Sequence, residues 1–226
     1  APLVAKNLVE NVEFGLGIDA GASSTRLLGN VVRNVSDQVS IRLNGGGCEA
    51  IGNRVEFGSD DDYAFYVAGS SCVLVGNTIR DYTSVGISVQ ATAMGSELRK
   101  NRLDRTGTET EIAIEILAEN VTLTGNRVGA CDGAGIAIQA EGANVTGNVV
   151  KASMRDGIRL AAGFGGVVLV GNKISACLGE GIDLRSQPAS FEKNVVQGNR
   201  TDVATTFLPS FSSTNKIGSV GTSDLD

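Results

Sequence analysis

The sequence predicts an all-β solenoid of about nine stacked coils, and two periodic features carry that prediction. Nine asparagines, Asn7, Asn30, Asn53, Asn77, Asn101, Asn126, Asn148, Asn172 and Asn194, recur at intervals of 22 to 25 residues. A fixed period in the low twenties marks a repeat architecture in which each coil packs only on its neighbours. The second feature is a strand-like run opening on Gly-Ile, at Gly17-Ile18, Gly86-Ile87, Gly135-Ile136, Gly157-Ile158 and Gly181-Ile182. Apolar residues alternate with period two around both features, and no helical period occurs.

Each coil reads as three short strands. The first is marked by an apolar residue three places before the asparagine: Val4, Leu27, Ala50, Leu74, Leu98, Leu123, Val145, Leu169 and Phe191. The second is marked two places after it: Val9, Val32, Val55, Ile79, Leu103, Val128, Val150, Ile174 and Val196. The third is the Gly-Ile strand, replaced in other coils by Ile41-Arg42-Leu43, Phe65-Tyr66-Val67 and Ile114-Glu115-Ile116. Stacking sets like on like, so these positions form apolar columns inside the solenoid. The asparagines form an internal ladder at a corner, each amide bonding a neighbour or a turn backbone group. Glycine precedes six of them and lysine the other three (Lys6, Lys100, Lys193). Nine coils at about 4.8 Å give a rod of roughly 43 Å.

Composition narrows the function classes. At 226 residues and 42% hydrophobic, the chain suits one domain with a continuous core. A net charge of −6 without a basic block argues against nucleic acid as a partner. No apolar run reaches the ~18 residues of a membrane span. Histidine is absent, which removes the usual zinc spacings. Cys48 and Cys72 each lie five residues before a repeat asparagine in consecutive coils, close enough for a disulfide, although all four cysteines also read as small apolar core residues. Cys131 and Cys177 lie two coils apart, with Ser153 in the equivalent place between them, too far to bridge.

Gly-Asn-x-Ile/Val paired with Gly-Ile-x-Val, repeated from Val4 to about Val196, resembles the right-handed parallel β-helix of the pectin-lyase-like superfamily. That resemblance implies a right-handed coil with three faces, and polysaccharide as the common partner of relatives. These include pectate and alginate lyases, polygalacturonases, uronate epimerases and phage tailspikes. The motifs of the better-known enzymes are missing: no Gly-His, no Asp-Pro-His and no Arg-x-Pro-x-x-Arg occurs.

Residues 1–200 are expected to form the β-helix and 201–226 a C-terminal cap and polar tail, with Phe207, Leu208 and Phe211 in the cap. The first coil begins almost at once, so further domains or self-association are expected at that end. The outward column of the Gly-Ile strand reads Asp19, Arg42, Tyr66, Ser88, Glu115, Ala137, Arg159 and Asp183. On this face relatives bind polysaccharide, and Asp19, Ser88, Glu115, Arg159 and Asp183 are the expected substrate-binding residues.

The third and fifth coils carry small insertions at one corner, Glu56–Asp62 and Asp104–Glu111, with Tyr63, Tyr66 and Tyr82 near them. Carboxylates and aromatics concentrate there beyond what the fold needs. Asp60, Asp61 and Asp62 are the place where a hard cation such as calcium would bind, although nothing in the motif set requires a cofactor. A lyase or hydrolase would use Arg42, Asp61, Asp62 and Tyr66 as its catalytic groups. Three functions therefore stand open: a secreted, periplasmic or surface module that binds or presents to polysaccharide, a carbohydrate-active enzyme at the acidic corner, or a structural or adhesive segment of a larger protein.

Overall fold

The computed structural model describes residues 1–36, 38–58, 63–106, 112–207 and 212–222. Among the described residues three sheets run along a solenoid, and all their pairings are parallel. The first has nine strands, from Leu3–Ala5 to Ser190–Glu192. The second has ten, from Leu8–Val12 to Lys216–Ile217, and the third has ten, from Ile18–Ala20 to Val220–Thr222. Each strand pairs with its equivalent one coil away, which is the parallel β-helix the repeat predicts. Among the described residues no helix is long and apolar enough to cross a membrane.

The asparagine ladder explains the fixed register. Asn101 donates from its backbone N–H and its Nδ2 to Asn126 Oδ1, both at 3.0 Å, and from Nδ2 to Leu74 O at 3.0 Å. The same three bonds repeat on the rungs from Asn30 to Asn194, nearly all out of contact with water. The residue before each asparagine turns the chain through the left-handed region. Gly76 has φ 63°, and Lys100 adopts φ 55° at the equivalent place, so glycine is favoured and lysine tolerated.

Regular coils continue past residue 200. Thr201–Thr205 joins the third sheet beside Glu180–Leu184, and Lys216–Ile217 joins the second. Asn215 forms a further rung: Asn194 N and Nδ2 donate to its Oδ1 at 2.9 and 3.1 Å, and its Nδ2 donates to Phe191 O at 2.7 Å. The segment expected as cap and tail thus contributes strands to the last coils. The intervening Thr206–Phe211 stretch, with its proline and phenylalanines, hides this rung from the repeat. Phe207 packs against the core, while Leu208 and Phe211 lie outside the described residues.

The core is a set of apolar columns that includes Leu27, Leu74, Leu98, Ile41, Ile87 and Ile114, all fully buried. Tyr82, near the acidic corner, turns its ring into the core and is 1% exposed. All four cysteines are free and buried. Cys131 Sγ stands 3.2 Å from Ser153 Oγ, which separates it from Cys177.

Candidate functional site

The third sheet places the predicted column on one face, in register. Asp19 pairs with Arg42, Arg42 with Tyr66, Tyr66 with Ser88, Ser88 with Glu115, Glu115 with Ala137, Ala137 with Arg159, and Arg159 with Asp183. Successive side chains therefore stand one strand spacing apart, about 4.8 Å. Arg42 grips Asp19 through two bonds, Nε to Oδ1 at 3.1 Å and Nη2 to Oδ2 at 2.6 Å. The hydrogen bond from Arg42 holds the Asp19 carboxyl below its ordinary value. Tyr66 meets Tyr63 edge to face, with centroids 5.3 Å apart at 63°.

Two residues expected to touch a ligand are covered by their neighbours. Ser88 is fully buried, donates to Glu115 Oε2 at 2.7 Å and accepts from Gln90 Nε2 at 2.7 Å. It orients Glu115 rather than facing solvent. Asp183 is 2% exposed, accepts from Arg185 Nε at 2.8 Å and lies 3.9 Å from Arg159 Nε. The partly exposed surface of the column is thus Asp19, Arg42, Tyr66, Glu115 and Arg159.

Only the edges of the acidic corner belong to the described residues. Asp60, Asp61 and Asp62 lie outside the described residues. Glu56 sits on the second sheet, buried between Arg33 and Arg54. Asp104 sits on the same sheet, 3.6 Å from Arg80. The corner does hold a recess of about 320 Å³, lined by Asp81, Tyr82, Thr83, Arg105, Ala130 and Asp132. In it, Arg105 Nε lies 2.6 Å from Asp81 Oδ1.

Further along the same corner stands a carboxyl pair that the sequence reading passed over. Asp156 and Glu180 each precede a Gly-Ile strand in consecutive coils, where the other coils place Leu16, Val39, Tyr63, Val85, Ile112 and Ala134. Two acids at one register in adjacent coils are forced together by stacking, and that repeat-aligned substitution is the signal that could have found them. Arg159 Nε and Nη2 donate to Asp156 Oδ2 at 2.9 and 2.7 Å, and Glu180 N–H donates to Asp156 Oδ1 at 3.1 Å. Burial pushes Asp156 up, but hydrogen bonds from Glu180 and Arg159 outweigh it and hold Asp156 below its ordinary value. The hydrogen bond to Asp156, then burial, raises Glu180 to about 6. At mildly acidic pH one carboxyl is ionised and the other holds a proton.

This pair sets a stability signature. Glu180 has a folded value above its unfolded one, so its contribution is complete below about 4.5 and is lost as pH rises through about 6. Asp156, lowered, contributes above its ordinary value and loses that only in stronger acid. Melting temperature is expected to fall from pH 4.5 to 7 by an amount that Glu180→Gln removes. A scan of both proteins showing the same slope in that window would contradict this.

The comparisons with known proteins follow from the fold. The family model described as periplasmic copper-binding protein (NosD) matches residues 20–219. A solved periplasmic alginate epimerase, AlgG, is 19% identical with TM-score 0.69, covering 90% of this chain and 56% of its own. The A-module of mannuronan C-5 epimerase AlgE6 from Azotobacter vinelandii is 11% identical with TM-score 0.56, covering 98% of this chain and 87% of its own. The catalytic unit of a GH87 α-1,3-glucanase from Streptomyces thermodiastaticus strain HF3-3 is 12% identical with TM-score 0.51, covering 98% and 62%. The chain thus spans little more than half the length of the AlgG epimerase. These identities establish a shared fold. No curated protein sequence matches.

Copper can be tested against the donor set. It favours imidazole, thiolate and thioether ligands. The chain has no histidine. Among the described residues no group of three or more His, Cys, Asp or Glu gathers to hold a metal. Met94 and Met154, both exposed, belong to different coils. The thiols are buried, and burial pushes Cys72 and Cys131 up to about 11, leaving them neutral. The described residues do not fit a copper centre.

Proposed function

From the premise that the chain belongs to the family described as periplasmic copper-binding protein (NosD), we propose that it binds a polysaccharide along the outer face of its third sheet. A periplasmic or secreted location follows from that membership. One observation carries the reading: an in-register column on the third sheet, its strands about 4.8 Å apart, that presents Asp19, Arg42, Tyr66, Glu115 and Arg159, with Tyr63 packed on Tyr66 within one strand. An extended polymer laid along such a row meets hydrogen-bonding groups at Asp19, Arg42, Tyr66, Glu115 and Arg159, with the covered Ser88, Ala137 and Asp183 between and beyond them. Arg42 and Arg159 supply planar donors for carboxylate or hydroxyl groups, and Tyr66 supplies an apolar surface with a polar tip. Three proteins of this fold carry names of enzymes that act on alginate, mannuronan or α-1,3-glucan, which supports polysaccharide as the ligand class.

A second reading, a carbohydrate-active enzyme, is favoured by the Asp156–Glu180 pair. Neighbouring carboxyls with opposite protonation states are the division of labour that acid–base cleavage of a sugar polymer uses. Glu180, the partly exposed member, would protonate a leaving oxygen, and buried Asp156, fixed by Arg159, would hold Glu180 in its protonated form. Incubation with uronate-containing and neutral polysaccharides, with and without calcium, followed by mass spectrometry for chain length and unsaturation, proton NMR for uronate configuration, and a calorimetric binding titration, separates the readings. Binding without any shortened, unsaturated or epimerised product supports the module. Products that vanish in Glu180→Gln support the enzyme.

A further inference from the structure

We infer that Cys48 and Cys72 become joined by a disulfide when the chain folds in an oxidising compartment, a bond that staples the second coil to the third. The geometry of the corner carries this. Glu49 and Val73 are register partners in the first sheet, so the cysteines immediately before them stack one coil apart. Val73 N–H donates to Cys48 O at 2.8 Å, fixing that stack at its closest point. One strand spacing, about 4.8 Å, lies inside the Cα separation a disulfide requires.

The two side chains also leave the backbone in the same direction. Cys48 follows Gly47 at φ 67°, and Cys72 follows Ser71 at φ 55°, so both enter from a left-handed residue. Their sulfurs occupy equivalent places. Cys48 Sγ lies 3.3 Å from Ala22 O and Cys72 Sγ 3.4 Å from Gly45 O, each a carbonyl of the coil before. The other two cysteines are a built-in control, since Ser153 fills the rung between Cys131 and Cys177.

Bond formation is thiol–disulfide exchange: Cys48–SH and Cys72–SH with a donor R–S–S–R give Cys48–S–S–Cys72 and two R–SH. The two sulfurs give up two electrons and two protons, and the donor disulfide accepts both. Exchange needs a thiolate with access to the donor. Neither thiol reaches solvent in the folded chain, so the bond forms before the two coils close on each other. Its occurrence in the cell rests on the periplasmic or secreted location, whereas its geometry does not.

The test supplies the donor directly and is therefore independent of location. The full chain is unfolded, reduced, and refolded in oxidised and reduced glutathione. It is then denatured, alkylated and digested. The expected result is two alkylated cysteines, Cys131 and Cys177, a linked peptide pair containing Cys48 and Cys72, and an intact mass about 2 Da below the reduced chain before alkylation. The oxidised form should melt roughly 5–10 °C above the reduced form. Four alkylated cysteines, or a linkage between any other pair, would overturn the inference.

Discussion

Asn101→Ala is expected to destabilise the solenoid by about 3–5 kcal/mol, enough to prevent folding of a marginal chain. The substitution deletes an acceptor that takes both the N–H and the Nδ2 of Asn77, at 3.0 and 2.9 Å. It also removes the donor to Leu74 O. Four buried polar groups, Asn77 N–H, Asn77 Nδ2, Leu74 O and Asn126 Oδ1, lose a bond at once, although Asn77 Nδ2 keeps Ala50 O and Asn126 Oδ1 keeps the Asn101 N–H. Each group left without a partner costs about 1–3 kcal/mol, offset in part by local relaxation. Asn101→Asp should not rescue the loss. A carboxylate cannot donate to Leu74 O, and it would carry charge into a site closed to water. Asn144→Ala is the matched control. Asn144 is exposed, and its side chain accepts only from Thr146 Oγ1 at 2.6 Å, so its change should stay within about 0.5 kcal/mol. Urea unfolding of the three variants measures both effects. A loss below about 1 kcal/mol at Asn101 would mean that the apolar columns alone set the register.

The second large effect lies where one coil makes room for the next. A Cβ at Gly58 would stand 1.9 Å from the Tyr82 ring, an overlap with a fully buried side chain. Gly58 and Tyr82 occupy the same repeat position one coil apart, a place held by Val12 and Val35 in the first two coils. The ring of one coil has filled the space vacated by the other, and its hydroxyl reaches within 3.5 Å of Ser40 Oγ. Gly58→Val should therefore cost about 3 kcal/mol or more through overpacking. Tyr82→Val should cost about 3 kcal/mol through the cavity it leaves. Combined, the two changes rebuild the pattern of the first coils and should cost at least about 2 kcal/mol less than the sum of the single changes. Additive losses would show that the two sites are independent and that the fit between them is incidental.

How much of this was legible in the sequence depends on whether stacking or side-chain reach decides the outcome. The columns were legible because the solenoid repeats its environment, so one residue type recurs wherever one place in the coil must be apolar, amide or left-handed. Asn215 escaped because Thr214, neither glycine nor lysine, precedes it and its interval of 21 residues falls just below that of the other rungs. Outward placement of Ser88 and Asp183 was legible, but their burial was not. It comes from long neighbours, Glu115, Gln90 and Arg185, folding over them. Tyr82 looked like a corner aromatic because the vacancy at Gly58 belongs to a different coil. Asp156 and Glu180 were visible as letters, yet their importance arises only when stacking brings the two carboxyls together beside Arg159.

The claim that the third-sheet face is a polysaccharide-binding surface is tested most directly by calorimetric titration with uronate-containing and neutral polysaccharides. Wild type is compared with Tyr66→Ala, Arg159→Ala and Arg102→Ala. Tyr66 and Arg159 lie on the column, whereas Arg102 is exposed on the second sheet. The account predicts binding to at least one polymer, weakened at least about tenfold, or about 1.4 kcal/mol, by either column variant and unchanged by Arg102→Ala. Binding lost equally in all three variants, or absent from wild type across the panel, would contradict it and return the chain to the structural reading.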